Sequence, residues 1–194
     1  MGNNINIAIF ASGSGTNAKR ISEYFRNDSN IHITLIVCNN PKAGVISIAQ
    51  HENIPVLMLN KEHFISNGYV DELRKYNIDF IVLAGFLWRL PDILIKCYSD
   101  KIVNIHPALL PDYGGKGMYG MNVHDAVIKA GQAQSGITIH LVDEEYDHGK
   151  TMFQATCDLI DNETTSSLAE KIHLLEHSHY PVVIELLVNR LPLF

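Results

Sequence analysis

The start of the chain constrains the fold most strongly, because an apolar run passes directly into a glycine-rich loop and then into a helical pattern. Residues 5–10 are predicted to form a buried strand, and residues 18–25 a helix with apolar positions at helical spacing. The loop between them, residues 12–17, reads Ser-Gly-Ser-Gly-Thr-Asn. The same alternation continues to residue 106, which predicts an α/β fold with a doubly wound, mostly parallel sheet and helices on both faces.

The remaining elements follow from the same periodicities. Further strands are predicted at residues 31–37, 55–59, 80–83, 102–106, 136–142 and 152–157, and further helices at residues 41–52, 70–76, 93–98, 123–130 and 168–187. Residues 113–120 contain four glycines and are predicted to form a loop. Pro181 is expected to interrupt or kink the last helix, because proline has no backbone N–H to donate.

Length and composition are typical of one ordinary globular domain, predicted to span residues 1–194. The chain is 46% hydrophobic and 19% charged. Its net charge is −6, so no overall basic field would attract nucleic acid or an anionic membrane surface, and neither is an expected partner. An anionic small-molecule substrate would have to be held by local groups.

The cysteines Cys38, Cys97 and Cys157 are scattered and show no CxxC pairing, which argues against a disulfide framework or a structural zinc site. The first residues lack the pattern of a secretory signal, and no apolar run approaches the length of a membrane span. A reducing, cytoplasmic location is therefore expected.

The glycine loop has more than one interpretation. Residues 13–18 match the loose GxGxx[GA] pattern of dinucleotide sites, but residues 38–40, where such a site needs an acid, read Cys-Asn-Asn. In one remaining interpretation, Gly15, Thr16 and Asn17 hold a phosphate group through backbone N–H groups and a hydroxyl at the positive end of a helix. In the other, the loop is a tight turn in which Thr16 or Asn17 caps the helix.

Two polar residues, Asn104 and His106, end the strand predicted at residues 102–106. They lie two positions apart and therefore on one face of the strand. An amide donor beside an imidazole suits an enzyme that holds a developing oxyanion and moves a proton near neutral pH, so acyl-type transfer is the first hypothesis. The alternative is a turn amide and a histidine with ordinary hydrogen bonds. Ligands of open α/β sheets bind at the carboxyl ends of strands, which favours a functional role.

A compact acidic loop, residues 143–149, follows the strand predicted at residues 136–142. One of its carboxylates could pair with His106 and raise the pKa of the imidazole, and the alternative is a solvated turn. Within the strand, Thr138 and His140 share one face. These two side chains either line the same cleft as His106 or form a cross-strand polar pair.

Four segments resemble the folate-dependent formyltransferases, and the resemblance spans nearly the whole chain. They are Ser-Gly-Ser-Gly-Thr-Asn at residues 12–17, Leu-Ala-Gly-Phe at 83–86, Asn-Ile-His-Pro-Ala-Leu-Leu-Pro at 104–111 and Glu-Tyr-Asp-His-Gly at 145–149. The glycine loop is most similar to the branch that acts on glycinamide ribonucleotide. The resemblance implies a Rossmann-like formyltransferase fold and an enzyme that transfers a formyl group from 10-formyltetrahydrofolate to the amine of glycinamide ribonucleotide in purine synthesis.

The resemblance also implies catalytic roles for three residues. Asn104 and His106 would stabilise the tetrahedral oxyanion that forms when the amine attacks the formyl carbon. Asp147 would hold His106 protonated and help to remove the proton of the amine. No metal is required by this chemistry.

Binding roles are implied in the same way for groups at matching positions. The ribonucleotide would be held at its phosphate by Gly15, Thr16 and Asn17, and at its glycinamide end by Glu176. The folate would be enclosed by Leu87, Trp88, Arg89, Leu90 and Asn104, and the supporting polar residues would be Thr138 and His140.

The chain departs from the family pattern at two places. Many relatives have Met-Arg and two aliphatic residues after Gly-Phe, whereas residues 87–90 read Leu-Trp-Arg-Leu here, so backbone contacts with folate would persist better than side-chain contacts. The loop at residues 112–120 is longer and richer in glycine, which suggests a mobile flap over the substrate. Two alternative functions are hydrolysis of the formyl folate and non-catalytic binding of a nucleotide or folate. A monomer and a homodimer are both compatible with the sequence.

Overall fold

The computed structural model of the protein describes residues 4–66 and 68–190. Within these residues seven strands form one sheet in the order β3-β2-β1-β4-β5-β6-β7. The strands are β1 (Ile5–Ala11), β2 (Ile31–Cys38), β3 (Val56–Met58), β4 (Phe80–Leu83), β5 (Ile102–His106), β6 (Gln134–Leu141) and β7 (Thr151–Asp158). Strands β1 to β5 pair in parallel, whereas β6 and β7 are antiparallel to their neighbours. The predicted mostly parallel sheet is confirmed, and the predicted domain ends, residues 1 and 194, lie outside the described residues.

Helices cover both faces of the sheet, as predicted. They are α1 (Thr16–Phe25), α2 (Val45–His51), α3 (Lys61–Phe64), α4 (Gly68–Lys75), α5 (Asp92–Cys97), α6 (Met121–Lys129) and α7 (Thr165–Val188). Ile7 and Ile9 of β1 join a core with α1, α2, α6 and α7, while Ala8 and Phe10 join a second core with α3, α4 and α5. Because both faces are buried, the central strands are continuous apolar runs rather than alternating ones.

Helix α7 continues through Pro181, so the expectation that proline would interrupt it is wrong. Proline cannot donate to the carbonyl four residues earlier, which is that of His177. Here the side chain of Arg20 supplies the missing donor, and its Nε lies 3.2 Å from the His177 carbonyl oxygen. A contact from α1 therefore offsets part of the cost of proline in α7.

The topology defines where a ligand would bind. Strands β1 to β3 extend the sheet toward one edge, whereas β4 to β7 extend it toward the other, so the order switches between β1 and β4. In such sheets a ligand usually binds in the crevice at the carboxyl ends of the strands beside this switch point. The buried hydroxyl of Tyr180 fixes α7 above this crevice, since it donates to the carbonyl of Leu83 at 2.8 Å and lies 3.1 Å from that of Val103. In the described part of the chain, no helix combines the length and the apolar character needed to cross a membrane.

Candidate active site

A cleft of about 560 Å³ is lined by residues that follow β1, β4 and β5. Its volume falls within the range of about 300–1,000 Å³ that is usual for small-molecule sites. All of the predicted site residues line the cleft except Thr138. Those that do are Gly15, Thr16, Asn17, Leu87, Trp88, Arg89, Leu90, Asn104, His106, His140, Asp147 and Glu176.

His106 and Asp147 lie side by side in the middle of the cleft. The imidazole is almost fully buried, and its Nδ1 lies 3.5 Å from Oδ2 of Asp147. The other ring nitrogen, Nε2, donates to the carbonyl of Tyr113 at 2.8 Å. The loop between β6 and β7 therefore brings a carboxylate to His106, and for Asp147 the alternative of a solvated turn is wrong.

The amide of Asn104 is oriented by the neighbouring strand, in which His140 stands directly opposite. Nδ1 of His140 donates to the carbonyl of Leu141 at 2.8 Å, so in the neutral ring Nε2 can only accept. Nδ2 of Asn104 lies 3.1 Å from that acceptor and donates one hydrogen to it. This bond fixes which end of the amide is the donor and leaves a second N–H for a ligand.

The pKa values of His106 and Asp147 are set by opposing effects. Burial lowers the pKa of His106, and the opposing effects of Asp147 and of the Tyr113 carbonyl do not overcome it. Burial raises the pKa of Asp147, but His140 and His106, when they carry a proton, and the Gly115 N–H together lower it by more, so the net shift is downward. Asp147 thus acts on the pKa of His106 in the expected direction, but burial outweighs it. The protonation of His106 by Asp147 stays a prediction.

The glycine loop leads into α1 without a side-chain cap. The N-cap is Gly15, with a φ of +80°, and no side chain bonds to the first N–H groups of the helix. The alternative in which Thr16 or Asn17 caps the helix is therefore wrong. A Cβ at Gly15 would lie 2.7 Å from Cβ of Val45, so glycine is needed for the close approach of α1 to α2.

The glycine loop and α7 meet at the side of the cleft. Nδ2 of Asn17 donates to Oε2 of Glu176 at 2.9 Å. Burial raises the pKa of Glu176, and the hydrogen bond from Asn17 and the nearby His173 lower it by less. A buried carboxylate on α7 is thus fixed directly beside the positive end of α1.

Comparison with known proteins identifies the family. The sequence profile of the family described as Formyl transferase matches residues 5–184. The chain belongs to this formyl transferase family. It is 40% identical to the chloroplastic phosphoribosylglycinamide formyltransferase of Arabidopsis thaliana over 92% of this chain, and it spans 63% of the length of that protein. It is 33% identical to the phosphoribosylglycinamide formyltransferase of Bacillus subtilis over 94% of both chains.

The fold is also that of solved formyl transferases. The crystal structure of phosphoribosylglycinamide formyltransferase from Anaplasma phagocytophilum superposes with a TM-score of 0.88 at 30% identity, covering 97% of this chain and 88% of that one. The Rossmann-like formyltransferase fold expected from the sequence resemblance is therefore confirmed.

In this member of the formyl transferase family, residues 87–90 form one wall of the cleft. The ring of Trp88 is half-buried and packs 5.8 Å from that of Phe64. Arg89 pairs with Asp92 at 2.8 Å and donates to the carbonyl of Glu144 at 3.1 Å, so it ties this wall to the acidic loop. Leu90 is buried in the core, whereas Leu87 is exposed.

Thr138 has a different place from the one its strand face suggested. Its hydroxyl donates to the carbonyl of Ala108 at 2.7 Å and accepts from the N–H of Leu110 at 2.9 Å. Of the two possibilities for this residue, lining the cleft is wrong. Thr138 instead holds the turn that follows His106.

Sequence reasoning missed two histidines that line the cleft, His124 and His173. His173 lies three positions before Glu176, so helical spacing could have placed both on one face of α7. No comparable signal marks His124, whose approach to the site depends on how α6 packs. Within the described residues, no group of three or more His, Cys, Asp or Glu side chains could hold a metal ion. Catalysis without a metal stays a prediction.

Proposed function

We propose that the protein transfers the formyl group of 10-formyltetrahydrofolate to the amine of glycinamide ribonucleotide, in purine synthesis. One observation carries the proposal: a hydrogen-bond donor and a proton acceptor, Asn104 and the His106–Asp147 pair, lie in one cleft between an uncapped helix N-terminus and an apolar wall. The membership in the formyl transferase family and the names of the relatives support the same reaction.

The two substrates would occupy opposite parts of the cleft. The phosphate would be held by the N–H groups of Gly15, Thr16 and Asn17, because the positive end of a helix without a side-chain cap attracts an anion. The glycinamide end would contact Glu176. The folate would lie along the wall at residues 87–90, where Trp88 offers a flat apolar surface.

The reaction proceeds by addition and elimination. The lone pair of the amine forms a bond to the formyl carbon, and the carbonyl electrons move to its oxygen. The free N–H of Asn104 stabilises this oxyanion, and the amine proton passes to the His106–Asp147 pair. The resulting imidazolium adds a positive charge beside the oxyanion. When the carbonyl re-forms, the bond to N10 of the folate breaks, and N10 takes up the proton.

The contributions to kcat that this mechanism requires of Asn104 and His106 are typical of acyl transfer. Loss of one oxyanion donor typically lowers kcat by about 10²–10³-fold, because the site excludes water and the dipoles are fixed in advance. General acid–base catalysis contributes a further factor of about 10²–10⁴. Both terms require the buried, hydrogen-bonded geometry described for Asn104 and His106.

The decisive experiment measures turnover of 10-formyltetrahydrofolate with and without glycinamide ribonucleotide. Formyl transfer predicts rapid turnover only when the ribonucleotide is present, together with formylated product. Equal rates in both conditions would favour the hydrolase alternative, and binding without turnover would favour a non-catalytic module. Asp147→Asn should lower the rate by about 10²–10⁴-fold, whereas His148→Ala is the matched control, because His148 is exposed on the same loop.

The proposed reaction needs small-molecule partners only, with no nucleic acid and no membrane. We place it in the cytoplasm, as either a monomer or a homodimer. Cell fractionation followed by the assay tests the compartment, and sedimentation of the purified protein tests the assembly.

A further inference from the structure

His124, on α6, is a buried imidazole that the proposed mechanism does not use. The residue is 3% exposed and lines the cleft. Its Nδ1 is buried and has no hydrogen-bond partner among the residues that the structure describes. Buried polar side chains are normally hydrogen-bonded, so an imidazole kept in a ligand cleft in this state needs an explanation.

The burial of Nδ1 determines which atom of the ring can meet a ligand. An imidazolium carries a hydrogen on both nitrogens, so it would leave a charged N–H at Nδ1 without an acceptor. The neutral ring avoids this cost when its hydrogen is on Nε2, because in protein interiors an N–H without an acceptor is rarer than an acceptor without a donor. Burial also lowers the pKa of His124 to about 4. Nε2 is then the nitrogen that faces the cleft, and it offers one neutral N–H.

His124 lies between the catalytic pair and the α7 side of the cleft. His106 on β5 and His173 on α7 are both near enough to affect its pKa. Helix α6 packs against α7, and His173 in turn acts on Glu176 three positions further along that helix. The N–H of His124 is therefore presented between the reacting centre and the carboxylate that would bind the glycinamide end of the substrate.

We propose that His124 is a specificity-determining residue, whose Nε2–H donates to the carbonyl oxygen of the glycinamide group. The identity of this acceptor rests on the proposed function. In glycinamide the carbonyl carbon is two bonds from the amine nitrogen, so this oxygen is the acceptor nearest to the reacting centre. The bond holds the amine in place for attack, and a ligand that lacks the amide leaves the N–H unpaired.

Binding of glycinamide ribonucleotide to the full chain, measured by calorimetry without folate, tests the contact. His124→Phe keeps a planar ring but has no N–H, so its Kd should rise by about tenfold, a usual effect of losing a neutral hydrogen bond. Its Kd for ribose 5-phosphate, which lacks the glycinamide group, should equal that of the native protein. An equal rise for both ligands would overturn the contact with the glycinamide carbonyl. His148→Phe, at an exposed position, is the control and should leave both Kd values unchanged.

Two further variants separate the hydrogen bond from a packing effect. The side-chain amide nitrogen of Gln reaches the position of Nε2 in His, whereas that of Asn reaches only the position of Nδ1. His124→Gln should therefore recover most of the affinity for the ribonucleotide, and His124→Asn should not. Equal affinities of these two variants would count against the proposal.

NMR of the free protein labelled with ¹⁵N-histidine should show the hydrogen of His124 on Nε2, and a hydrogen on Nδ1 would overturn the contact. Formyl transfer is measured on the same samples. A protein that binds the ribonucleotide with this dependence on residue 124 but transfers no formyl group would support the contact and overturn the proposed function. Normal formyl transfer with an unchanged Kd in His124→Phe would support the proposed function and overturn the contact.

Discussion

The side-chain amide of Asn17 donates to the carboxylate of Glu176 over 2.9 Å, although 159 positions separate the two residues in the chain. The bond joins the first turn of α1 to the middle of α7. The phosphate loop and the amine-binding carboxylate of the proposed site are therefore in direct contact. We expect the two ends of the ribonucleotide to be recognised as one unit.

Glu176→Gln should raise KM for glycinamide ribonucleotide by about tenfold, because a hydrogen bond to a charged group contributes about 1.5–3 kcal/mol. KM for the folate should not change. Burial raises the pKa of Glu176, so the difference between variant and native protein should shrink as the pH falls and Glu176 becomes neutral. Steady-state kinetics between pH 5 and pH 8 check this. Glu170→Gln, an exposed change on the same helix, is the control.

His140→Ala should lower kcat without a large change in either KM, because it removes the acceptor that orients the amide of Asn104. Asn104→Ala should lower kcat by about 10²–10³-fold. In the double variant the two losses should not add, since both act on one oxyanion donor. His140→Gln retains an acceptor and should recover part of the rate. Additive losses in the double-variant kinetics would contradict this linkage.

The acid limb of the kcat profile should lie below pH 6.5, the ordinary histidine value, because burial lowers the pKa of His106. The neutral ring that accepts the proton then persists to a lower pH. Asp147→Asn removes a carboxylate that raises the pKa of His106, so the pKa of His106 should fall further. The kcat of this variant should fall by about 10²–10⁴-fold. His106→Ala should lower kcat by a similar factor. Kinetics across pH and NMR titration of His106 check both effects; an acid limb above pH 6.5 would refute the argument.

Much of the fold could be predicted because its signals are local. Strand and helix periodicities were sufficient for the doubly wound sheet, and the two-residue spacing placed Asn104 and His106 on one face. The tolerance of Pro181 could not be predicted, since it depends on the contact of Arg20 with the His177 carbonyl. The four-residue helix α3 is too short to have a clear period.

The site was predictable in its residues and less so in its electrostatics. The resemblance of sequence segments to the formyltransferase family pointed to Asp147 and Glu176. The side chains that contact these two residues depend on tertiary packing, which the sequence does not show. Asp147 raises the pKa of His106 as expected, but the net direction is set by burial, which no local pattern reveals. The separation of Thr138 from the cleft has the same origin, since its hydroxyl is used by the turn after β5.

Gly15→Ala should destabilise the fold by about 3 kcal/mol, combining a left-handed φ with an overpacked contact. The φ is +80°, and the new Cβ would lie 2.7 Å from Cβ of Val45. Gly13→Ala is the control, because a Cβ there meets nothing within 4 Å. Its effect should stay within about 0.5 kcal/mol. Urea unfolding of both variants checks this, and equal losses would contradict the packing argument.

His124 should make the fold sensitive to acid. Burial, with smaller effects of His173 and His106, lowers its pKa from 6.5 to about 4. Above pH 6.5 the ring is neutral in both folded and unfolded chains, but between pH 6.5 and pH 4 only the unfolded chain takes up the proton. At about 1.4 kcal/mol per pKa unit, the free energy of unfolding falls by about 3 kcal/mol over this interval. His124→Phe should remove that part of the pH dependence, whereas His148→Phe, at an exposed position, should retain it. Urea unfolding at pH 7, 5.5 and 4 measures the difference, and parallel curves for native protein and His124→Phe would show that His124 is not the buried neutral group.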